Sequence, residues 1–262
     1  MFFPVPSLNY SGDPAGAQEA TIWDMDGLLL ILAHPDDETF FAGGAIARYA
    51  SANVRVGLVC ATRGERGATG NLCSIEELPR VREGELRDAA RILGVRDLSL
   101  LPYQDQKLWA APADEIRRYI VTAIRAQRPR IVITFDPNGA NQHSDHIAIS
   151  RFAMDAIAAA ADPRWYSETG AAHLVERVLW PAPIVPFELS RAKNAASQPG
   201  VDFLLDAGEF RESKRAALRA HRTQFPGLSR IFNSDASISW EAFRVGCGAR
   251  PKSPPLNDLF AA

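Results

Sequence analysis

The stretch that most narrows the possible folds is residues 28–38. The apolar run Leu28-Leu29-Leu30-Ile31-Leu32-Ala33 passes straight into His34-Pro35-Asp36-Asp37-Glu38. An unbroken apolar run of this length reads as a strand buried on both faces, the habit of a central strand in a parallel sheet. The polar cluster falls where that strand ends and a helix begins. In open parallel sheets, ligands gather beyond the carboxyl ends of the strands. A second apolar run, residues 131–135, also precedes a polar cluster, His143-Ser144-Asp145-His146.

Around these runs, apolar segments alternate with helical patterns. Strands are predicted at 28–33, 54–61, 98–101, 130–135 and 175–180, with a late one at 201–205. Helices are predicted at 39–51, 76–93, 113–127, 145–161 and 209–224. Gly94 closes the second helix, and Gly43-Gly44 allows the first to pack closely on the sheet. This βαβα rhythm predicts a Rossmann-like three-layer α/β/α fold with a parallel sheet. If the strand order is 3-2-1-4-5, the first and fourth strands are neighbours and the two polar clusters meet. The chain reads as a single domain, 1–262, with C-terminal additions. Residues 1–20 are expected to be an extended arm, 181–200 an irregular Pro-rich excursion and 250–262 a surface tail.

Composition removes several function classes. With 262 residues, 47% hydrophobic and a formal net charge of -2, the chain can bury a sizeable core and has no excess charge to attract a polyanion. The arginines of 80–91 are interleaved with Glu83, Glu85 and Asp88 and read as a solvated helix face. Cys60, Cys73 and Cys247 form no CxxC pair, which favours a reducing compartment. No basic-plus-apolar leader precedes residue 28, and no apolar run there is long enough to cross a bilayer. The expectation is a cytoplasmic protein with no nucleic-acid or membrane partner; a homo-oligomer is compatible with it.

Two imidazoles and a carboxylate around an open position suit catalytic zinc. His34 and Asp37 are three apart across a strand-to-helix turn and can face one point, and His146 could complete the set. Asp36 would then stand beside the ion, where a carboxylate can take a proton from attacking water. His143, three residues before His146, could face the substrate oxygen. Taken singly, each cluster has a plainer reading: acids decorating a helix N-terminus, and a polar loop. Their joint occurrence at adjacent strand ends favours a site. Glu38 reads as a helix-terminal acid, and Trp109 as a core residue. His221 with Gln224 reads equally as a site rim or as helix packing.

The same residues resemble a known family. Ala33-His34-Pro35-Asp36-Asp37-Glu38 with Gly43-Gly44 looks like the signature of the LmbE-like, or PIG-L, N-deacetylases. His143-Ser144-Asp145-His146 resembles that family's second motif, and Thr62-Arg63-Gly64-Glu65-Arg66-Gly67 its Gly-Glu-x-Gly loop. Arg82 and Glu85 with Leu93-Gly94, and Lys214 with His221-Arg222-Thr223-Gln224, resemble two of its helices. The resemblance runs from about residue 28 to 225, with its blocks in order. It implies a zinc-dependent amidase, with Fe²⁺ as the other candidate metal, that removes acetyl groups from N-acetylglucosaminyl compounds. By this resemblance the metal ligands fall on His34, Asp37 and His146, the general base on Asp36, and an oxyanion-stabilising or proton-donating histidine on His143. Arg66 is expected to bind the small N-acetyl amino-sugar substrate, with Glu65 and Asn138 as further candidates. Asp145 and His221 are expected to support the site from behind. Among the substrates the family accepts, the malate glycoside of bacillithiol synthesis is favoured over the inositol glycoside of mycothiol synthesis, thiol-conjugate amides and chito-oligosaccharides, because it fits the modest chain length and a cytosolic small-thiol pathway.

Two other readings remain. Asp24-Met25-Asp26-Gly27 resembles the nucleophile motif of haloacid-dehalogenase-like phosphatases, but its preceding apolar run is only Thr21-Ile22-Trp23. A non-catalytic sugar-binding protein could use the same fold. Such a module would have no need of the spare acid Asp36.

Overall fold

A computed structural model describes residues 27–182, 201–232 and 235–261. The phosphatase-like Asp24 and Asp26, the arm 1–20 and positions 183–200 of the Pro-rich excursion lie outside the described residues. The chain alternates β1 (Gly27–Leu32), α1 (Asp37–Ser51), β2 (Arg55–Thr62), α2 (Leu78–Leu93), β3 (Asp97–Tyr103), α3 (Ala113–Gln127), β4 (Ile131–Ile133), the single turn α4 (Gly139–Gln142), α5 (Ser144–Ala161) and β5 (Arg177–Pro181). It continues with β6 (Phe203–Asp206), α6 (Arg211–Ala220), α7 (Phe225–Ile231), α8 (Asp235–Ser239) and β7 (Trp240–Cys247).

One sheet carries all seven strands in the order β3-β2-β1-β4-β5-β7-β6. The first five are parallel, in the order 3-2-1-4-5 expected from the sequence. The C-terminal additions are strands: β7 runs antiparallel to both β5 and β6. β1 is the central strand of the five parallel ones and is buried along its whole length. Each of its Leu and Ile side chains contributes roughly 1.5–3 kcal/mol when removed from water. α1, α2 and α6 pack on one another, and α3 packs on α5, while β1 touches α1 as well as α3 and α5. These are the two helical layers.

α1 is interrupted at Ala42, whose φ of -146° is not helical. The reason lies on β7. The Glu241 carboxylate accepts the Gly44 and Ala45 N–H groups at 2.7 and 2.8 Å, so the second part of α1 starts on a buried acid. Lys214 of α6 balances that charge at 2.5 Å. A Cβ on Gly44 would stand 2.4 Å from the Ala207 Cβ, so only glycine permits this approach. The close packing expected of Gly43-Gly44 is therefore made against the C-terminal part of the chain.

The structure departs from the sequence reading in four places. The helix expected over 209–224 ends at Ala220 and resumes at Phe225. Glu85 takes the Thr223 N–H at 2.9 Å, which removes a donor from the helical ladder, and Pro226 constrains the restart. Arg82 and Glu85, assigned to a solvated face, are buried, on the same stripe of α2 as Leu78, Leu86, Ala89 and Leu93. Trp109, expected in the core, is 67% exposed. Finally, β7 is absent from the sequence reading: Glu241, Ala242 and Phe243 are buried in succession, so both faces are covered and the polar–apolar alternation that marks a half-exposed strand is missing. The tail beyond residue 250 is tied down: Leu259 is fully buried, and the Arg177 guanidinium holds the Leu259 and Ala261 carbonyls.

Candidate active site

Parallel pairing of β1 with β4 brings the carboxyl ends of these two strands side by side, and the two polar clusters converge there. His34 Nδ1 lies 3.2 Å from His146 Nε2 and 3.4 Å from Asp37 Oδ2, and His146 Nε2 lies 3.2 Å from Asp37 Oδ1. Ligands about 2.0–2.1 Å from a tetrahedral zinc stand about 3.3 Å apart. The pairwise contacts are near that spacing, His34 meeting Asp37 through Oδ2 and His146 meeting it through Oδ1.

The hydrogen bonds behind the rings fix which nitrogens are available. His146 Nδ1 donates to the Gly139 carbonyl at 3.1 Å, leaving the Nε2 lone pair toward Asp37. His34 Nε2 donates to Asp105 Oδ1 and Asp145 Oδ2, each at 3.2 Å, leaving the Nδ1 lone pair toward His146. Carboxylates and carbonyls behind ligating histidines hold the tautomer that a metal requires. The nitrogens of His34, His143 and His146 also lie within 4.8 Å of one another, and so do ligand atoms of His34, Asp105 and Asp145. The tautomers distinguish these sets. Asp105 and Asp145 face the protonated side of His34, while His143 Nδ1 accepts the Asp145 N–H at 3.2 Å as the N-cap of α5. His34, Asp37 and His146 form a third group at the same point, with both rings against the Asp37 carboxylate.

Local structure presents these groups. Phe135, just past β4, stacks on the His146 ring at 3.9 Å between centroids. Gly139 has φ +68°, and a Cβ there would meet the His146 Cβ at 2.8 Å. Asp136 accepts the Ala140 N–H and is paired with Arg244 of β7, so the C-terminal strands brace the loop of the second cluster. Asp145 is fully buried; besides His34 it accepts the Gln106 and Leu108 N–H groups, fastening the segment after β3 to α5.

Asp36 lies outside the donor set and lines a cleft of about 210 Å³ together with His34, Arg66, Arg82, Asp105 and His143. Pockets for drug-sized ligands are about 300–1,000 Å³, so this volume suits one sugar ring with the remainder in solvent. Asp36 sits at the N-cap of α1 with φ +112°, a backbone state costing of order 1–3 kcal/mol in a residue with a Cβ. Arg82 Nη2 donates to the Pro35 carbonyl and, at 3.1 Å, to Asp36 Oδ2. The Asp36 N–H donates to Glu38 Oε2 at 3.0 Å, and Glu38 Oε1 accepts His221 Nε2 at 2.7 Å.

The charges follow from these contacts. Burial raises the Asp36 carboxyl to about 6, with the Arg82 guanidinium pulling the other way. Burial acts likewise on Asp37, but the His146 and His34 rings outweigh it and hold Asp37 well below the usual carboxylate range. Burial opposes a charged His34, yet Asp105, Asp145 and Asp37 together lift it well above its ordinary value. His143 is lowered, first by burial and then by the other two imidazoles. Three carboxylates thus call for positive charge at one point, while His143 is kept neutral.

Of the residues expected at the site, His34, Asp36, Asp37, Asp145, His143 and His146 converge. The Arg66 side chain lines the cleft, and its N–H is fixed by Asp105 Oδ2 at 2.9 Å. Glu65 does not line the cleft; its carboxylate accepts the Asp105 N–H at 2.8 Å. Asn138 is exposed at the start of α4 and does not line the cleft either. His221 stands behind Glu38. Sequence reasoning missed Asp105, Arg82 and the inward role of Glu38. Asp105 also follows a strand end, that of β3, and Arg82 lies at helical spacing from the apolar residues of α2; both were available signals.

The family described as PIG-L: GlcNAc-PI de-N-acetylase matches residues 29–157. A 1D-myo-inositol 2-acetamido-2-deoxy-alpha-D-glucopyranoside deacetylase from Streptomyces avermitilis is 35% identical, over 75% of this chain and 82% of its own length. The chain belongs to the PIG-L family. It is accordingly a metal-dependent deacetylase of N-acetylglucosaminyl compounds. Two solved structures share the fold. The conserved protein TT1542 from Thermus thermophilus has a TM-score of 0.66 and 27% identity, covering 88% of this chain and all of that one. The N,N'-diacetylchitobiose deacetylase from Pyrococcus horikoshii has a TM-score of 0.67 and 23% identity, covering 84% and 83%. PIG-L membership leaves the phosphatase and the non-catalytic readings without support. Among the described residues, no helix is long and apolar enough to cross a membrane.

Proposed function

We propose that this PIG-L deacetylase hydrolyses the acetamide of an N-acetylglucosaminyl-inositol, with His34, Asp37 and His146 holding one divalent cation, zinc or Fe²⁺, and Asp36 as general base. The observation that carries the reading is the Asp36 carboxylate lining the cleft, outside the close His34–Asp37–His146 cluster and held by Arg82. A binding module would not need an acid there with its pKa raised to about 6. The substrate of the related Streptomyces deacetylases favours inositol as the aglycone over the malate expected from chain length.

When bound, the cation polarises the acetamide carbonyl and lowers the pKa of the attacking water. Asp36 takes a proton from that water as its oxygen bonds to the carbonyl carbon. His143, whose Nδ1 is occupied by the Asp145 N–H, presents Nε2–H to the carbonyl oxygen as it gains charge. The C–N bond breaks, the nitrogen receives from Asp36 the proton that Asp36 took from the water, and acetate leaves. Arg66 holds the substrate through paired hydrogen bonds to hydroxyl groups.

The test is a competition of N-acetylglucosaminyl-inositol, N-acetylglucosaminyl-malate and N,N'-diacetylchitobiose on metal-loaded enzyme, read by mass spectrometry. The inositol compound should show the highest kcat/KM. A preference for the malate compound would reverse the aglycone assignment, and turnover of none would remove the substrate class.

A further inference from the structure

Glu38 is an unusual acid for a helix N-terminus. An acid that serves only the helix dipole sits in solvent near the first-turn amides, whereas Glu38 is fully buried and so is its partner His221. The two carboxylate oxygens have separate tasks. Oε2 accepts the N–H of Asp36 at 3.0 Å, and Oε1 accepts His221 Nε2 at 2.7 Å and the Thr39 hydroxyl at 2.5 Å. Asp36 is the residue that most needs such a brace, because its φ of +112° is one that residues with a Cβ rarely adopt. His221 reaches Glu38 from the end of α6, at the point where that helix breaks. A segment nearly two hundred positions away (|i−j| of 183) thus ends on the backbone of the cleft acid.

We infer that Glu38 and His221 are positioning residues for Asp36: the Glu38 carboxylate bridges His221 and the Asp36 amide, and so holds the backbone turn that points the Asp36 carboxylate into the cleft. The inference rests on Asp36 acting as the base. Arg82 grips the carboxylate end of Asp36 and the neighbouring Pro35 carbonyl, while Glu38 grips its amide end. The residue is held on both sides of its Cα. The alternative is that the pair only docks α6 against α1, in which case its removal would cost stability and leave turnover alone.

Removing one member strands a buried charge, but replacing a buried pair with apolar residues of similar size is often tolerated. The test is therefore the double variant Glu38→Met/His221→Phe, in the metal-loaded full chain. It should fold, keep about one metal per chain and hold KM within about threefold while kcat falls about 10²-fold, as expected for a misplaced reacting group. A crystal structure of the variant should show Asp36 relaxed from its left-handed φ. Glu38→Gln should rescue to within about tenfold of wild-type kcat. Its oxygen can still accept the Asp36 N–H while its NH₂ donates to His221 Nε2, because Nδ1 of His221 has no partner among the described residues and can take the proton. A double variant with kcat within about threefold of wild type would overturn the inference, and so would loss of its metal, which would tie the pair to Asp37. If the double variant does not fold, Glu38→Ala and Glu38→Gln are compared on soluble metal-loaded chain, and equal kcat would overturn the inference. Asp36→Asn is measured alongside. Undiminished turnover there would remove the base assignment itself, an outcome distinguishable from failure of its support.

Discussion

His143 and His146 are three positions apart and present opposite ring nitrogens to the protein. His146 gives Nδ1–H to the Gly139 carbonyl, while His143 receives the Asp145 N–H on Nδ1. One ring therefore faces the cluster with a lone pair and the other faces the cleft with an N–H, which supports the proposed division between ligand and hydrogen-bond donor. His143→Ala should keep its metal and lose about 10²–10³-fold in kcat, the usual cost of one oxyanion donor, as measured by steady-state kinetics with metal analysis; near-normal kcat would reduce His143 to a helix cap. The pH profile belongs to Asp36. Its carboxyl, raised to about 6 by burial, must be ionised to accept a proton, so kcat/KM should fall as pH drops through its pKa. Cation charge nearby lowers that value further, which puts the acid limb at or below about 6. An acid limb lying well above it would contradict the assignment. Residues in the two contiguous clusters were legible because each motif is local in sequence. Asp105 and Arg82 carried only weak signals, a strand-end position and a helical spacing, since their partners lie far away in sequence.

At the scale of elements, α1 shows what a pattern can and cannot convey. Its apolar residues were readable, and the observed helix begins at Asp37, two positions before the predicted start, so that two of the acids form its first turn. Its interruption at Ala42 was not readable, because Glu241 on β7 causes it. The break in 209–224 has the same character: Glu85, far away in sequence, takes the Thr223 N–H. Gly44→Ala tests the first contact. Alanine gains about 1 kcal/mol of helix propensity, but its Cβ would stand 2.4 Å from Ala207. Overpacking of this kind costs about 1–3 kcal/mol or more, so Tm should fall by several degrees in a thermal melt. An unchanged or raised Tm would mean that α1 and the Ala207 turn are not closely docked.

At the scale of the whole molecule, the order 3-2-1-4-5 does the decisive work. It places β1 beside β4, so clusters separated by more than one hundred positions become a single site at the switch point of the sheet. The parallel core was legible from alternating strands and helices. The antiparallel β7 and β6 were less so, yet β7 supplies Glu241 to α1 and Arg244 to the loop of the second cluster. The central claim is that convergence gives neighbouring acids different tasks, Asp37 for the cation and Asp36 for the proton. The direct test measures metal content and kcat together for Asp36→Asn and Asp37→Asn. Asp36→Asn should retain about one metal per chain and lose about 10²–10⁴-fold in kcat, while Asp37→Asn should lose most of its metal. Metal loss in Asp36→Asn with full retention in Asp37→Asn would contradict the account.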